Sequence, residues 1–304
     1  MEKAKLTVCI CAKDRSTELA MLLESLRHQT FKDFNVVIVD GSEAPNGAPI
    51  DIRKYSHFIN RAYNQLIQDG HWITYKRENN KGIARCRNQA RELANTEICL
   101  ALDDDEVLEP DYIEKLYKVI TSDEKIAAVG GVVPVYGQPT VKRKVESVKP
   151  IFNEIKLTNE GDFICSNCGE VFKSMKQNPL VCANCKQHYL SGDSNYLYDK
   201  EEVIESHHLQ SGYMFRKSAV EEVGGRATDK TFSAFREETE LCMLLRLAGY
   251  KLITHTGAIA WHDHAPRGGA RQQGPQKYSK NVVMDDGTFR KKIKKIVQEK
   301  GWNK

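Results

Sequence analysis

The sequence predicts an α/β fold: a mostly parallel sheet flanked by helices, with a small inserted module. Three observations lead there. Strand and helix patterns alternate from Leu6 to Val135. Aspartates close two of the apolar runs, at Asp40 and at Asp103-Asp104-Asp105. The alternation then breaks at a polar stretch, 141–206, that holds four closely spaced cysteines, and it resumes at Gly212.

Leu6 to Cys11 reads as a buried strand. Ser16 to His28 reads as a helix, because Leu19, Leu22, Leu23 and Leu26 recur at helical spacing, with Ser16 as its expected N-cap. Phe34 to Val39 is a second buried strand, stopped by Asp40-Gly41-Ser42. Ser56 to Gln68 has a helical pattern and Trp72 to Tyr75 a short strand pattern. A helix is expected from Gly82 to Ala94, a strand from Ile98 to Leu102, a helix from Pro110 to Ile120 and a strand from Ile126 to Val135. Beyond the insertion, Val220 to Gly225 ends in a Gly-Gly turn. Glu238 to Ala248 is a helix closed by Gly249, and Lys251 to Thr254 and Ala258 to Trp261 are short strands. The expected divisions are 1–140, 141–206, 207–265 and 266–304.

Bulk properties set limits. The 304 residues are 40% hydrophobic and 28% charged, as in a soluble globular protein. No apolar run approaches the ~20 residues that span a bilayer, and the first residues carry no signal-peptide pattern, so a cytoplasmic location is expected. A net charge of +4 is too mild to argue for nucleic acid, and no basic-aromatic stripe adds to it. The excess is local, in Arg290 to Lys295. There Ile293, Ile296 and Val297 share a helical face among lysines, which fits a solvated terminal helix better than peripheral contact with the inner face of an anionic membrane.

The chemistry begins at Asp103, Asp104 and Asp105. Like charges repel and Asp is a poor strand former, so packing does not select this cluster. A hard divalent cation neutralises it, and Mg²⁺ or Mn²⁺ is commonly shared with substrate phosphates. An acidic helix start before Pro110 is the plainer alternative. Trp261-His262-Asp263-His264 follows the last strand, and its two imidazoles are candidates to complete a metal site, against ordinary structural histidines. Glu237, Glu238 and Glu240 open a helix, either as dipole-stabilised caps or as a rigidly held general base. Gly82 allows close backbone approach at another helix start, where Arg87 pairs with phosphate or is merely solvated. Cys165-x-x-Cys168 and Cys182-x-x-Cys185, thirteen residues apart, have the spacing of a tetrahedral structural Zn²⁺ site. Such a ribbon staples a short insertion or recognises a partner. Cys9, Cys11, Cys86, Cys99 and Cys242 sit in apolar or helical patterns as small hydrophobes. After His264 a segment with Arg267, Gly268, Gly269 and Arg271 is either a lid or a connector.

In their order, six segments resemble a family 2 glycosyltransferase with the GT-A fold: TVCICAKDRSTELAMLLESLRHQTFKDFNVVIVDGS, NKGIARCRNQA, LALDDDEVLEPDYIEKL, SGYMFRKSAVEEVGG, FREETELCMLLRLAGYKL and AIAWH. The resemblance covers roughly 5–140 and 208–265. It implies a Rossmann-like nucleotide-binding half, an acceptor and catalytic half, and inverting, metal-assisted transfer from a nucleotide-sugar donor to a glycan, lipid-linked or protein acceptor. It further implies that Asp40 and the backbone near Ala12 hold the nucleobase and ribose, with Asp14, Gly82 and Asp104 in the same donor site. Arg87 then lies near the diphosphate. Asp103 touches ribose or metal, Asp105 binds Mn²⁺ or Mg²⁺, and His262 joins that shell with His264 beside it. The family's base is the Asp of a Glu-Asp pair. Here that position is Glu238, one methylene longer, which ranks Glu238 first and Glu237 second. The same departure leaves a second reading: an inactive GT-A-fold binding protein whose zinc ribbon is the interaction module.

Overall fold

The computed structural model describes residues 4–44, 46, 48–78, 82–145, 156–157, 163–164, 171–172, 196–206, 208–225, 237–265, 268 and scattered positions between 276 and 295. The four ribbon cysteines, Arg267 and Arg271 lie outside the described residues, as does most of the basic tail.

The first half runs β1 (Leu6–Ala12), α1 (Ser16–Arg27), β2 (Phe34–Asp40), α2 (Ile52–Tyr55), α3 (His57–Gln68), β3 (Ile73–Arg77), α4 (Ile83–Leu93), β4 (Ile98–Asp103), β5 (Glu106–Leu108), α5 (Tyr112–Ile120) and β6 (Ile126–Val132). Short pieces β7 (Val141–Arg143), β8 (Lys156–Leu157), β9 (Phe163–Ile164), β10 (Val171–Phe172) and β11 (Tyr196–Tyr198) follow. The chain then adds β12 (Val203–Glu205), β13 (Tyr213–Arg216), α6 (Lys217–Glu222), α7 (Glu237–Leu247) and β14 (Lys251–His262).

A nine-stranded sheet takes the order β12-β14-β6-β13-β4-β1-β2-β3, with β5 pairing β14. From β4 to β3 every pairing is parallel. β13 then enters antiparallel between β4 and β6, β14 returns parallel to β6, and β12 lies antiparallel on β14. The parallel half was legible because β1, β2 and β4 are apolar runs and helical patterns separate the strands from β1 to β4. The antiparallel β13 was not, because its direction depends on where the chain re-enters the sheet. β14 is one strand of 12 residues rather than two short ones; a register shift between Thr254 and Ile259 carries it through its bend.

Alternation along β1 divides the core. Leu6, Val8, Ile10 and Ala12 face one apolar layer with α1, α3 and α5. Cys9 and Cys11 face the other, with α4, α6 and α7. All five described cysteines are buried thiols, which suits their small apolar character.

The parallel register decides where the polar ends fall. Ala12 pairs with Asp40, and Cys11 with Asp103. The carboxyl ends of β1, β2 and β4 therefore meet along one edge, the usual ligand edge of such sheets. β5 turns back after β4 and pairs with the end of β14, setting Glu106 opposite His262.

Candidate active site

The loop after β1 forms one wall. Asp14 takes a left-handed conformation at φ 56°, a geometry Asp tolerates better than most residues. Its N–H donates to Ser42 Oγ at 2.8 Å, and its Oδ1 accepts the Glu43 N–H at 2.9 Å. Arg15, rather than Ser16, stands at the N-cap of α1 and makes no side-chain cap, because its guanidinium points into the site. It donates to Asp104 at 2.7 Å and to Asp105 at 2.9 Å. Asp104 also accepts the Lys13 N–H at 3.0 Å. Burial pushes the Asp104 carboxyl up to about 7, against the pull of Arg15. Asp104 is thus engaged with the β1–α1 loop and does not reach the group formed by its two neighbours.

Asp40 is buried at 1% exposure. It accepts the Ser42 N–H at 2.9 Å and the Tyr75 hydroxyl. Burial raises its carboxyl above the usual range, with those hydrogen bonds opposing. Arg53 lies 3.8 Å over the centroid of the Tyr75 ring, so a stacked cation covers this corner. Asp40 forms the floor of the corner rather than its surface. Gly82 is the N-cap of α4 at φ 118°, which a side chain would resist.

Asp103, Asp105 and His262 offer one ligand atom each, and these atoms all lie within 4.8 Å of one another. His262 Nε2 is 3.1 Å from Asp105 Oδ1, and Asp105 Oδ2 accepts the Ala265 N–H at 3.2 Å. Burial disfavours the charged imidazole, but the hydrogen bond and charge of Asp105, helped by Glu106 and Asp103, outweigh it and raise the His262 pKa. His264 stays outside the group. It takes φ 49° and sets its ring edge-on to His262, with centroids 4.3 Å apart. Two carboxylates and an imidazole, partly shielded and crowded with negative charge, suit Mn²⁺ or Mg²⁺.

Arg87 links this group to α7. One buried guanidinium meets Asp103, Glu237 (2.6 Å) and Glu238. Burial works against its charge, but Asp103, Glu238 and Glu237 more than compensate and hold its pKa well above the ordinary value. The two glutamates differ in access: the Glu237 side chain is 4% exposed and that of Glu238 is 23% exposed. The residues brought together from distant parts of the sequence are therefore Asp103, Asp105, His262, Arg87, Glu237 and Glu238.

Sequence reasoning missed Arg15, Tyr75 and Glu106. Glu106 is fully buried in β5, and burial, with the nearby Asp103 charge, pushes its carboxyl up to about 8. The only signal in the sequence was a fourth acid between Asp105 and the apolar Val107-Leu108. Arg15 and Tyr75 carried no spacing signal at all.

The sheet order and the acidic edge define the class: a GT-A-type fold. Solved structures share it. The crystal structure of GalNAc-T7 with UDP, GalNAc and Mn²⁺ matches with TM-score 0.57 at 13% identity, over 86% of this chain and 44% of that one. The mannosyltransferase PcManGT from Pyrobaculum calidifontis, in complex with GDP-Man and Mn²⁺, matches with TM-score 0.54 at 14% identity, over 96% of this chain and 65% of that one. A sequence model of the Glycosyl transferase family 2 matches residues 7–236, and the chain belongs to that family. Among curated relatives, the glucosyl-dolichyl phosphate glucuronosyltransferase of Haloferax volcanii is 26% identical over 132 residues, 43% of this chain and 38% of its own length. Glycosyltransferase GlyA of Streptococcus pneumoniae is 25% identical over 271 residues, 83% of this chain and 36% of its own. The chain thus spans under two fifths of the length of these two curated relatives. No helix among the described residues is long and apolar enough to cross a membrane.

Proposed function

We propose that this chain transfers a sugar from a nucleoside-diphosphate donor to an acceptor hydroxyl, with inversion at the anomeric carbon. The observation that carries the reading is Arg87, a single buried cation touching a candidate metal ligand, Asp103, and the candidate base, Glu238. On this reading Arg87 would bring the donor diphosphate and the base to one point.

Asp103, Asp105 and His262 would hold Mn²⁺ or Mg²⁺, which supplies charge stabilisation for the departing nucleoside diphosphate. Neighbours of the same fold have been crystallised with Mn²⁺ and UDP or GDP-linked ligands, which supports this reading. Arg87, in contact with Asp103, would stabilise the same developing charge. Glu238, the more accessible of the glutamates, takes the proton from the acceptor hydroxyl as its oxygen attacks the anomeric carbon opposite the diphosphate. Glu237 holds the guanidinium in place. Ala12, Asp14 and Gly82 line the donor side, while Asp40 and Asp104 keep its loops in position. A glycan or lipid-linked hydroxyl is the acceptor class that the family and the Haloferax relative favour. The spacing of the four cysteines supports a structural Zn²⁺ module inserted in the chain between the donor and acceptor halves.

The test is a donor screen. The protein with Mn²⁺ or Mg²⁺ is offered a panel of nucleotide sugars and acceptors, and nucleoside diphosphate release is followed beside a Glu238→Gln control. Release from one donor, abolished in the control, is the expected result. Metal-dependent donor binding without release, identical in the control, would replace this reading with that of an inactive binding protein.

A further inference from the structure

We infer that Glu106 is a positioning residue that couples the Asp103 end of β4 to the Ser211-Gly212 turn leading into β13. The inference deepens the reading above and rests on it for its catalytic meaning.

Glu106 is 0% exposed. Its Oε2 accepts the backbone N–H of Asp103 at 3.2 Å. Its place in the β5–β14 ladder is opposite His262, so it sits behind two of the candidate metal ligands at once. The turn is shaped to receive it. Gly212 has φ +73°, and a Cβ there would stand 3.3 Å from both carboxyl oxygens and 3.1 Å from the Tyr112 hydroxyl. The Tyr112 hydroxyl donates to the Gly212 carbonyl and fixes the turn from the other side. Glu106 Oε1 is shut away from water and has no hydrogen-bond partner.

Packing alone does not select a buried carboxyl with one orphan oxygen beside two aspartates, since both its desolvation and its neighbours oppose it. A bridge explains the choice. A shorter or apolar side chain cannot hold the Asp103 amide and fill the space beside Gly212 together. With the bridge in place, the last residue of β4 and the turn that opens the acceptor half move as one. Partners of this kind, one step behind a metal ligand, typically change metal affinity by ~10–100-fold.

The first test needs no metal and no substrate. Backbone amide exchange is measured in the full chain and in Glu106→Ala and Glu106→Gln. Exchange in Glu106→Ala should accelerate together at Asp103 and across 211–213, by roughly tenfold or more, and Glu106→Gln should restore much of the protection. Acceleration at one segment but not the other overturns the coupling. The second test titrates Mn²⁺ by its electron paramagnetic resonance signal, with and without UDP or GDP. Affinity should fall ~10–100-fold in Glu106→Ala and in Gly212→Ala, and only about threefold in Glu106→Gln. Unchanged affinity in a folded Glu106→Ala, or equal losses in the Ala and Gln variants, overturns the positioning role. If Glu106→Ala does not fold, Glu106→Leu, which keeps the side-chain volume, takes its place beside Glu106→Gln. A chain that shows coupled exchange but turns over no donor refutes the functional reading and leaves the coupling standing.

Discussion

Arg87→Met removes the one cation that Asp103, Glu237 and Glu238 share. The cost follows from burial. The side chains of Asp103 and Glu238 are 22% and 23% exposed and can turn toward water, whereas Glu237, at 4%, cannot. One buried carboxylate therefore loses its guanidinium partner, a change that costs about 3–5 kcal/mol. Stability changes of that size move the melting temperature by about 6–20 °C in a large domain. The assay is thermal and urea unfolding of the metal-free protein by circular dichroism. The control is Arg87→Met with Glu237→Gln, which removes the buried charge and should recover at least half of the loss. Arg87→Lys keeps a charge but not the fork, and should fall between wild type and Met. A loss under ~1 kcal/mol for Arg87→Met, or a double variant as unstable as the sum of the singles, would refute the argument that burial of Glu237 sets the cost.

Glu238→Gln should lower kcat by ~10²–10⁴ with donor affinity nearly unchanged, whereas Glu237→Gln should mainly lower stability; steady-state kinetics beside calorimetric donor binding separates the two. The His262 pKa is raised above 6.5. Its ion pair with Asp105 therefore stabilises the metal-free protein fully below pH 6.5, and that contribution is lost as pH rises through the folded value. Metal needs the neutral ring, so Mn²⁺ affinity should rise over the same interval, and His262→Gln should flatten both curves in parallel melts and Mn²⁺ titrations. Lys292 lies 2.8 Å from Glu240 in the first turn of α7, and the Glu240 side chain is only 5% exposed. Lys292→Met should cost about 1–3 kcal/mol, discounted for the partly exposed lysine, with Glu240→Gln relieving it in a double-mutant cycle. Zinc analysis should find one Zn²⁺ per chain, lost in Cys165→Ser with Cys168→Ser; a metal-free wild type would remove the ribbon from the account.

Much of the donor half was legible without coordinates, and the reason is local. β1, β2 and β4 are each a single apolar run closed by a polar signal, and α1, α3 and α4 between them show a 3.6-residue period. Acids at strand ends marked Asp40, Asp103 and Asp105 because nothing in strand packing favours them there. Boundaries moved by only a residue or two at α4 and α7, where Gly82 and Gly249 punctuate the chain.

The sequence alone determined which chemistry was on hand: clustered carboxylates for a hard cation, an arginine at a helix start, and glutamates at another. It could not determine which of these groups meet. Tertiary structure set Asp104 against Arg15 and the Lys13 amide and outside the ligand group, held His264 outside the same group, and buried Asp40 with a hydrogen bond from Tyr75. It also ran β13 antiparallel, set Glu106 behind His262, and brought Arg87 to Glu237 and Glu238 across 150 residues of chain. Periodicity is a property of neighbours in sequence. Ion pairing across a sheet edge depends on register and crossover, and only the closed fold supplies those.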